Sequence, residues 1–149
     1  MFKRLMRIPV PWVFVLTYLI GAGLERIWPF HLAARIEIAG AILFAAGAVV
    51  AGVSLTIFHR QRTTTVPGQR SAALVTWGPY RWTRNPMYVG LTLAYLGEAG
   101  LQRHVWPVIL LPLTIAYLNW VVIPVEEARL TEVFGDVYAA YRSRVRRWI

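Results

Sequence analysis

No cysteine occurs anywhere in the 149 residues, which removes disulfides, thiolate metal sites and cysteine nucleophiles together. Lysine is nearly missing too: Lys3 is the single lysine among 16 basic residues, the rest being arginine. Charge as a whole is thin, at 15% of the chain, and acidic residues number only 7. With 57% hydrophobic residues, too little polar surface remains to keep a soluble domain of this length dissolved. The metalloprotease HExxH, the GxSxG elbow, the Walker loop and the glycine-rich dinucleotide fingerprint are all lacking. His31, His59 and His104 are scattered along the chain and read as interface residues, not a metal cluster. Neither an internal repeat nor a low-complexity linker divides the sequence, so residues 1–149 read as a single domain.

What is present is long apolar runs. A helix needs roughly 20 such residues to cross the hydrocarbon core. Ile8–Leu24 supplies 17 without a charge, Ile38–Phe58 supplies 21, and His104–Val125 supplies 22. Asn85–Gly97 supplies 13 before Glu98 interrupts, and spans only if it continues to about Leu101. The pattern predicts an all-α polytopic helical bundle with about four transmembrane helices, near 8–28, 36–58, 86–102 and 104–125. Cytoplasmic C-terminal helices follow over 126–147, amphipathic, with Gly135 ending the first and Asp136 capping the second. Lys3, Arg4 and Arg7 ahead of the first run, with Gly21-Ala22-Gly23 behind it, also give it the layout of a signal peptide. Its length and the interfacial Trp28 favour a retained span.

Charge placement orients the bundle. The N-terminal tail, the Arg60–Arg84 loop and the segment from Arg129 hold 13 basic residues, against Arg26, Arg35 and Arg103 in the other two loops. The positive-inside rule then puts both termini in the cytoplasm. The net charge of +9 faces anionic lipid headgroups in this arrangement, and no nucleic-acid partner is expected. Gly40, Ala41, Ala45, Ala48 and Gly52 offer small-residue packing on the second span, while Pro107, Pro112 and Pro124 are expected to bend the last.

Two segments could carry chemistry. In the loop before the third span, Gly78-Pro79 marks a turn, and Asn85-Pro86 reads as an N-cap followed by a first-turn proline. A helix N-terminus beside Arg81 and Arg84 could hold an anionic group, and Tyr80, Trp82 and Tyr88 add aromatic faces suited to a cation or a flat base. The same residues could instead be an aromatic belt with its flanking arginines. The second segment is Glu126-Glu127 at the end of the last span, which could equally be a pair of solvated charges. By helical spacing Glu126 shares a face with Leu130 and Phe134, whereas Glu127 turns elsewhere.

Together the segments resemble the isoprenylcysteine carboxyl methyltransferase family of integral membrane methyltransferases, and the wider group that includes phospholipid N-methyltransferases. The carrying residues are Leu74-Val75, Gly78, Tyr80, Arg84, Pro86, Tyr88 and Gly90, then Glu126-Glu127, Leu130, Phe134-Gly135, Tyr138, Tyr141 and Val145. They cover roughly Thr63 to Ile149. The resemblance implies S-adenosylmethionine bound by Ala73, Leu74, Val75, Tyr80, Arg84, Asn85, Pro86, Met87, Tyr88 and Glu126, with Glu126 also in the catalytic role. It implies methyl transfer to a lipophilic small molecule or lipid, with a prenylcysteine carboxylate, a phospholipid amine and a small thiol all open as acceptor; the excess of arginine over lysine points to a bacterial inner membrane. Where the prenylcysteine enzymes carry an arginine one turn before the first glutamate, this chain has Val122, and where the motif often has His it has Asn85. An acceptor without a carboxylate is therefore expected. Sterol reductases share a similar C-terminal pattern, but a nicotinamide site is not legible here; a non-catalytic scaffold of the same fold is the alternative from another class.

Overall fold

A computed structural model describes residues 9–60 and 73–149. The basic tail Lys3, Arg4 and Arg7 and the loop residues 61–72 lie outside the described residues. Five helices follow one another: α1 (Val10–Ile27), α2 (Ile36–Arg60), α3 (Pro86–Leu101), α4 (Trp106–Tyr117) and α5 (Ile123–Arg144). A short 3-10 turn, Gly78–Arg81, precedes α3, and a wide π-type turn, Leu118–Val122, joins α4 to α5. The all-α expectation holds, with no strand among the described residues.

Three segments are long and apolar enough to cross a membrane: α1, α2 and the continuous stretch Trp106–Arg144. The fourth expected span, α3, has 16 residues. At about 1.5 Å per residue it measures about 24 Å, short of the roughly 30 Å hydrocarbon core. The C-terminal part also differs from expectation. Instead of a span followed by separate helices, one helical path runs from Trp106 to Arg144 and breaks at Gly135, whose φ of 48° and ψ of −124° leave the helical region. Of the three prolines, Pro107 sits in the first turn of α4 and Pro112 lies inside it. Pro124 follows the wide turn, and this fits its chemistry: it has no N–H to donate four residues back, and its ring crowds that carbonyl.

In lipid the hydrophobic effect does not drive helix to helix, so close backbone approach has to. The α2–α3 pair achieves this with glycines seven residues apart on each helix, Gly40 and Gly47 facing Gly97 and Gly90. A Cβ at Gly40 would stand 2.6 Å from the Leu101 nitrogen, and one at Gly90 would stand 2.5 Å from that of Ala51. At Gly47 and Gly97 it would strike the backbone of Ala94 and Phe44. Of the small residues singled out in the sequence, only Gly40 belongs to this seam. Ala41, Ala45 and Ala48 are exposed, and Gly52 has nothing within 4 Å.

At the end of the bundle away from Glu126, a buried carboxylate ties α1 to α4. Glu25 accepts hydrogen bonds from the backbone N–H groups of Phe30 (2.7 Å), Val105 (2.9 Å) and Trp106 (3.1 Å). It thus caps the N-terminus of α4 from another helix. His31 and His104 meet here in an isolated antiparallel bridge, while His59 lies in the last turn of α2. Tyr18 packs edge-on against Tyr95, whose hydroxyl donates to the Pro107 carbonyl at 2.9 Å.

The seam predicts a sharp contrast. Gly47→Ala should destabilise the detergent-solubilised protein by about 1–3 kcal/mol, because the new methyl meets backbone and cannot be accommodated by a rotamer change. Gly52→Ala, on the open side of the same helix, should be neutral or slightly stabilising. Thermal unfolding of the two variants beside the parent decides it; equal losses would mean that the seam is not tight.

Candidate functional site

The loop before α3 and the helix after the wide turn come together as the sequence suggested, though several side chains play other parts than expected. Tyr88, in the first turn of α3, is buried and donates its hydroxyl to Glu126 Oε1 at 2.6 Å. Met87 and Tyr88 belong to one apolar cluster with Val10, Phe14, Tyr95, Leu111, Leu118, Val122 and Ile123. Val122 is thus enclosed by apolar side chains, and no cation stands in its place. Val75 and Tyr80 pack in a second cluster with Ile57, and the Tyr80 ring stacks on Phe58 at 5.3 Å. The Tyr80 carbonyl receives the Tyr141 hydroxyl at 2.7 Å, which pins the turn to α5. Pro86 is fully buried, and Ala73 and Leu74 lead into the turn half-buried.

Asn85 does not cap α3 with its side chain. Its Nδ2 donates to the carbonyl of Arg147 at 2.8 Å, and its backbone N–H goes to the Thr83 hydroxyl at 3.1 Å. The Arg84 N–H is taken by the Arg146 carbonyl at 2.9 Å. Donors around the start of α3 are therefore spent largely within the protein, which reduces the anion-binding capacity expected from the helix end alone. Trp82, expected as an aromatic wall, is 81% exposed and stands clear of the cluster; Arg81 is exposed as well.

The largest departure concerns the two glutamates. Glu127, which the helical spacing turned away from the site, is buried and carries its charge network. Arg84 Nη1 lies 2.9 Å from Glu127 Oε1, and Arg147 Nη2 lies 2.7 Å from Oε2. Arg84 also reaches the Tyr138 hydroxyl at 3.4 Å. Helical spacing missed this because the partners of Glu127 come from the α3 lead-in and the C-terminal tail, neither of which is encoded in the periodicity of α5. Glu126 has no ion-pair partner among the described residues. Arg129, a conceivable substitute for the cation missing at Val122, pairs with Glu132 at 2.9 Å on the exposed side of α5.

Three buried polar atoms lack partners among the described residues: the Tyr80 hydroxyl and Arg84 Nε at this end, and the Thr114 hydroxyl within α4. Ser54 lies close to the Tyr80 hydroxyl but donates its own to the Val50 carbonyl at 2.7 Å. Buried donors left free in this way mark a place where a polar ligand can satisfy them.

Comparison with known proteins supplies a family. Residues 36–137, more than half of the chain, match the profile of a family described as phospholipid methyltransferase. Over 72 residues the chain is 38% identical to the protein-S-isoprenylcysteine O-methyltransferase of Schizosaccharomyces pombe. That match covers 48% of this chain and 30% of the relative, so the chain spans about a third of the length of the curated protein it resembles. No solved structure matches.

The different settings of the two glutamates predict different consequences. Glu127→Gln removes the anion shared by two arginines and should cost about 2–4 kcal/mol of stability. Glu126→Gln keeps an oxygen for the Tyr88 hydroxyl and should leave thermal stability within about 1 kcal/mol of the parent. Melting curves of the two variants are the check, and the reverse order of losses would refute the assignment.

Proposed function

The chain belongs to the phospholipid methyltransferase family, and on that premise we propose that it transfers a methyl group from S-adenosylmethionine to a lipophilic acceptor drawn from the bilayer. The observation that carries the reading is the Tyr88–Glu126 hydrogen bond, which joins the two segments of the sequence motif in one partly buried place. The family and the three apolar helices make it an integral membrane protein. Counting α3, packed along α2, as a fourth and short crossing, we read it as one domain with both termini in the cytoplasm of a bacterial inner membrane, the orientation that puts most of the arginines and the site on the same side.

The residues present fit the cofactor. Arg84 Nε and the Tyr80 hydroxyl are buried donors in need of an acceptor, matching a carboxylate or a ribose and base edge. Glu126, free of any arginine among the described residues, offers a carboxylate to a cation, and the rings of Tyr80 and Tyr88 stand nearby. S-adenosylmethionine would supply an electrophilic methyl group for an in-line displacement that needs no covalent enzyme intermediate. The work left to the chain is positioning and exclusion of water. Ala73, Leu74, Val75, Tyr80, Arg84, Asn85, Pro86, Met87, Tyr88 and Glu126 would hold the donor, and the apolar cluster around Val122 would keep water from the acceptor. Glu126 would also take up the proton that an acceptor loses on methylation, the catalytic role that the resemblance gives it.

Val122 directs the choice of acceptor. A carboxylate brought against this apolar cluster would lose hydration at a cost of several kcal/mol, with Arg147 committed to Glu127 and Arg84 shared between Glu127 and the proposed cofactor. Methylation of a farnesylcysteine carboxylate should therefore be much weaker than that of a phosphatidylethanolamine amine or a hydrophobic thiol. A radiolabelled methyl-transfer assay on the three acceptors tests this, and efficient carboxylate methylation would overturn it.

Binding is tested without an acceptor. S-adenosylhomocysteine at 100 times its dissociation constant should stabilise the protein by about 2.7 kcal/mol, whereas a non-catalytic scaffold would gain nothing. Glu126→Gln, which removes the carboxylate offered to the cation, should weaken S-adenosylmethionine more than S-adenosylhomocysteine, which lacks the sulfonium charge. Calorimetry with both ligands is the measurement, and equal losses would remove Glu126 from the cation site.

A further inference from the structure

The last residues of the chain do something that the motif does not account for. After α5 ends at Arg144, residues 145–149 turn back across the start of α3. Their carbonyls accept three hydrogen bonds from the loop that holds the proposed cofactor residues. Arg84 N–H donates to Arg146 at 2.9 Å, Thr83 Oγ1 to Arg147 at 3.1 Å, and Asn85 Nδ2 to Arg147 at 2.8 Å. The Arg147 side chain reaches the other way. Its Nη2 and Nε donate to Glu127 at 2.7 and 3.2 Å, and its Nη1 donates to Asn119 Oδ1 at 3.1 Å. Trp148 adds an indole hydrogen bond to the same Asn119 oxygen at 3.3 Å and packs against the apolar cluster of Met87, Tyr88 and Val122.

Resting on the methyltransferase reading, we propose that residues 145–149 form a strap that completes the wall of the cofactor site, with Arg147 as the positioning residue that latches it. One residue bridges three segments: its carbonyl fixes the α3 lead-in, and its guanidinium fixes Glu127 on α5 and Asn119 in the wide turn. The second arginine on Glu127 also leaves Arg84 only partly engaged, so that Arg84 Nε stays inside the site as a free donor. Arg147 does not touch the face of Glu126 and Val122. It acts through Glu127 and Asn85, and loosening it lets the wall swing out without removing any group that contacts a ligand. The arginine on the exposed face of the same helix, Arg142, has no part in the latch.

The test uses the full-length protein in detergent, with S-adenosylhomocysteine as the probe. Arg147→Gln should raise the dissociation constant about tenfold by calorimetry and expose the C-terminus to carboxypeptidase. Arg147→Lys, which can keep the pairing with Glu127 but not the second bond to Asn119, should fall between it and the parent. Arg142→Gln should bind like the parent. In turnover, the Michaelis constant for S-adenosylmethionine should rise by a larger factor than kcat falls, a split that a general loss of structure would not give. Unchanged affinity in Arg147→Gln, with the parent binding normally, overturns the strap and leaves the methyltransferase reading standing. Tighter binding would also overturn it, showing that the tail obstructs the site instead of completing it. A parent that binds no S-adenosylhomocysteine removes the methyltransferase reading and the strap together.

Discussion

A carboxylate buried among apolar groups is tolerable only when opposite charge and hydrogen bonds replace the water it gives up. Glu127 meets that condition with two arginines from two different places in the chain, Arg84 just before α3 and Arg147 near the C-terminus. The ion pairs are therefore also tertiary connections. Without Arg84 the α3 lead-in has no charged tie to α5, and without Arg147 the tail loses its strongest one. Two cations on one anion leave the cluster with an excess positive charge, part of which the half-exposed Arg147 presents to its surroundings. The glutamate beside it, Glu126, bonds among the described residues only to a tyrosine hydroxyl. Adjacent residues of the same type are thus held differently: Glu127 is saturated by two arginines, while Glu126 carries no ion pair among the described residues.

That arrangement needs a rigid frame, and the membrane supplies it in an unusual way. In lipid the gain from joining helices comes from close contact between backbones, which is why the α2–α3 seam is made of glycine. A short α3 held so tightly brings Tyr88 to a fixed depth, one turn inside the end of the bundle. On the other side, the wide turn Leu118–Val122 lets the last helix continue past Pro124 and sets the rotation at which Glu126 and Glu127 face α3. Without the extra residue in that turn, everything C-terminal to it would be rotated by about 100°, and the glutamates would miss their partners.

Much of this was legible in the sequence because hydropathy is a strong signal. The helices α1 and α2 and the last apolar run were found within a few residues, and the motif segments were expected to meet and do. Other features were not legible, for reasons that can be named. Gly47 was passed over because helix spacing alone cannot say which small residues face a neighbour and which face lipid. The role of Glu127 was misread because its environment comes from residues about 40 positions before it and 20 after it. Asn85 looked like a helix cap, and its amide was instead claimed by the tail, a contact with no local signature. The helix break at Gly135 was read correctly, since a glycine between two amphipathic patterns is a local signal.

The two ends of the bundle are fastened by different chemistry, and the difference bears on function. At the far end, Glu25 holds three backbone amides, and Arg103 Nε donates to the Leu32 carbonyl at 2.9 Å, so the helix connections are fixed to main chain. Such contacts open only with the helices themselves. At the end that carries the site, side chains of Arg84, Asn85, Asn119, Glu127 and Arg147 make the closure, and each can exchange partners by a change of rotamer. On the proposed reading, a site that admits a water-soluble methyl donor and a lipophilic acceptor, and then releases both, has to move somewhere. In this chain the movable contacts are gathered at one end, while the glycine seam and the Glu25 cap keep the rest still.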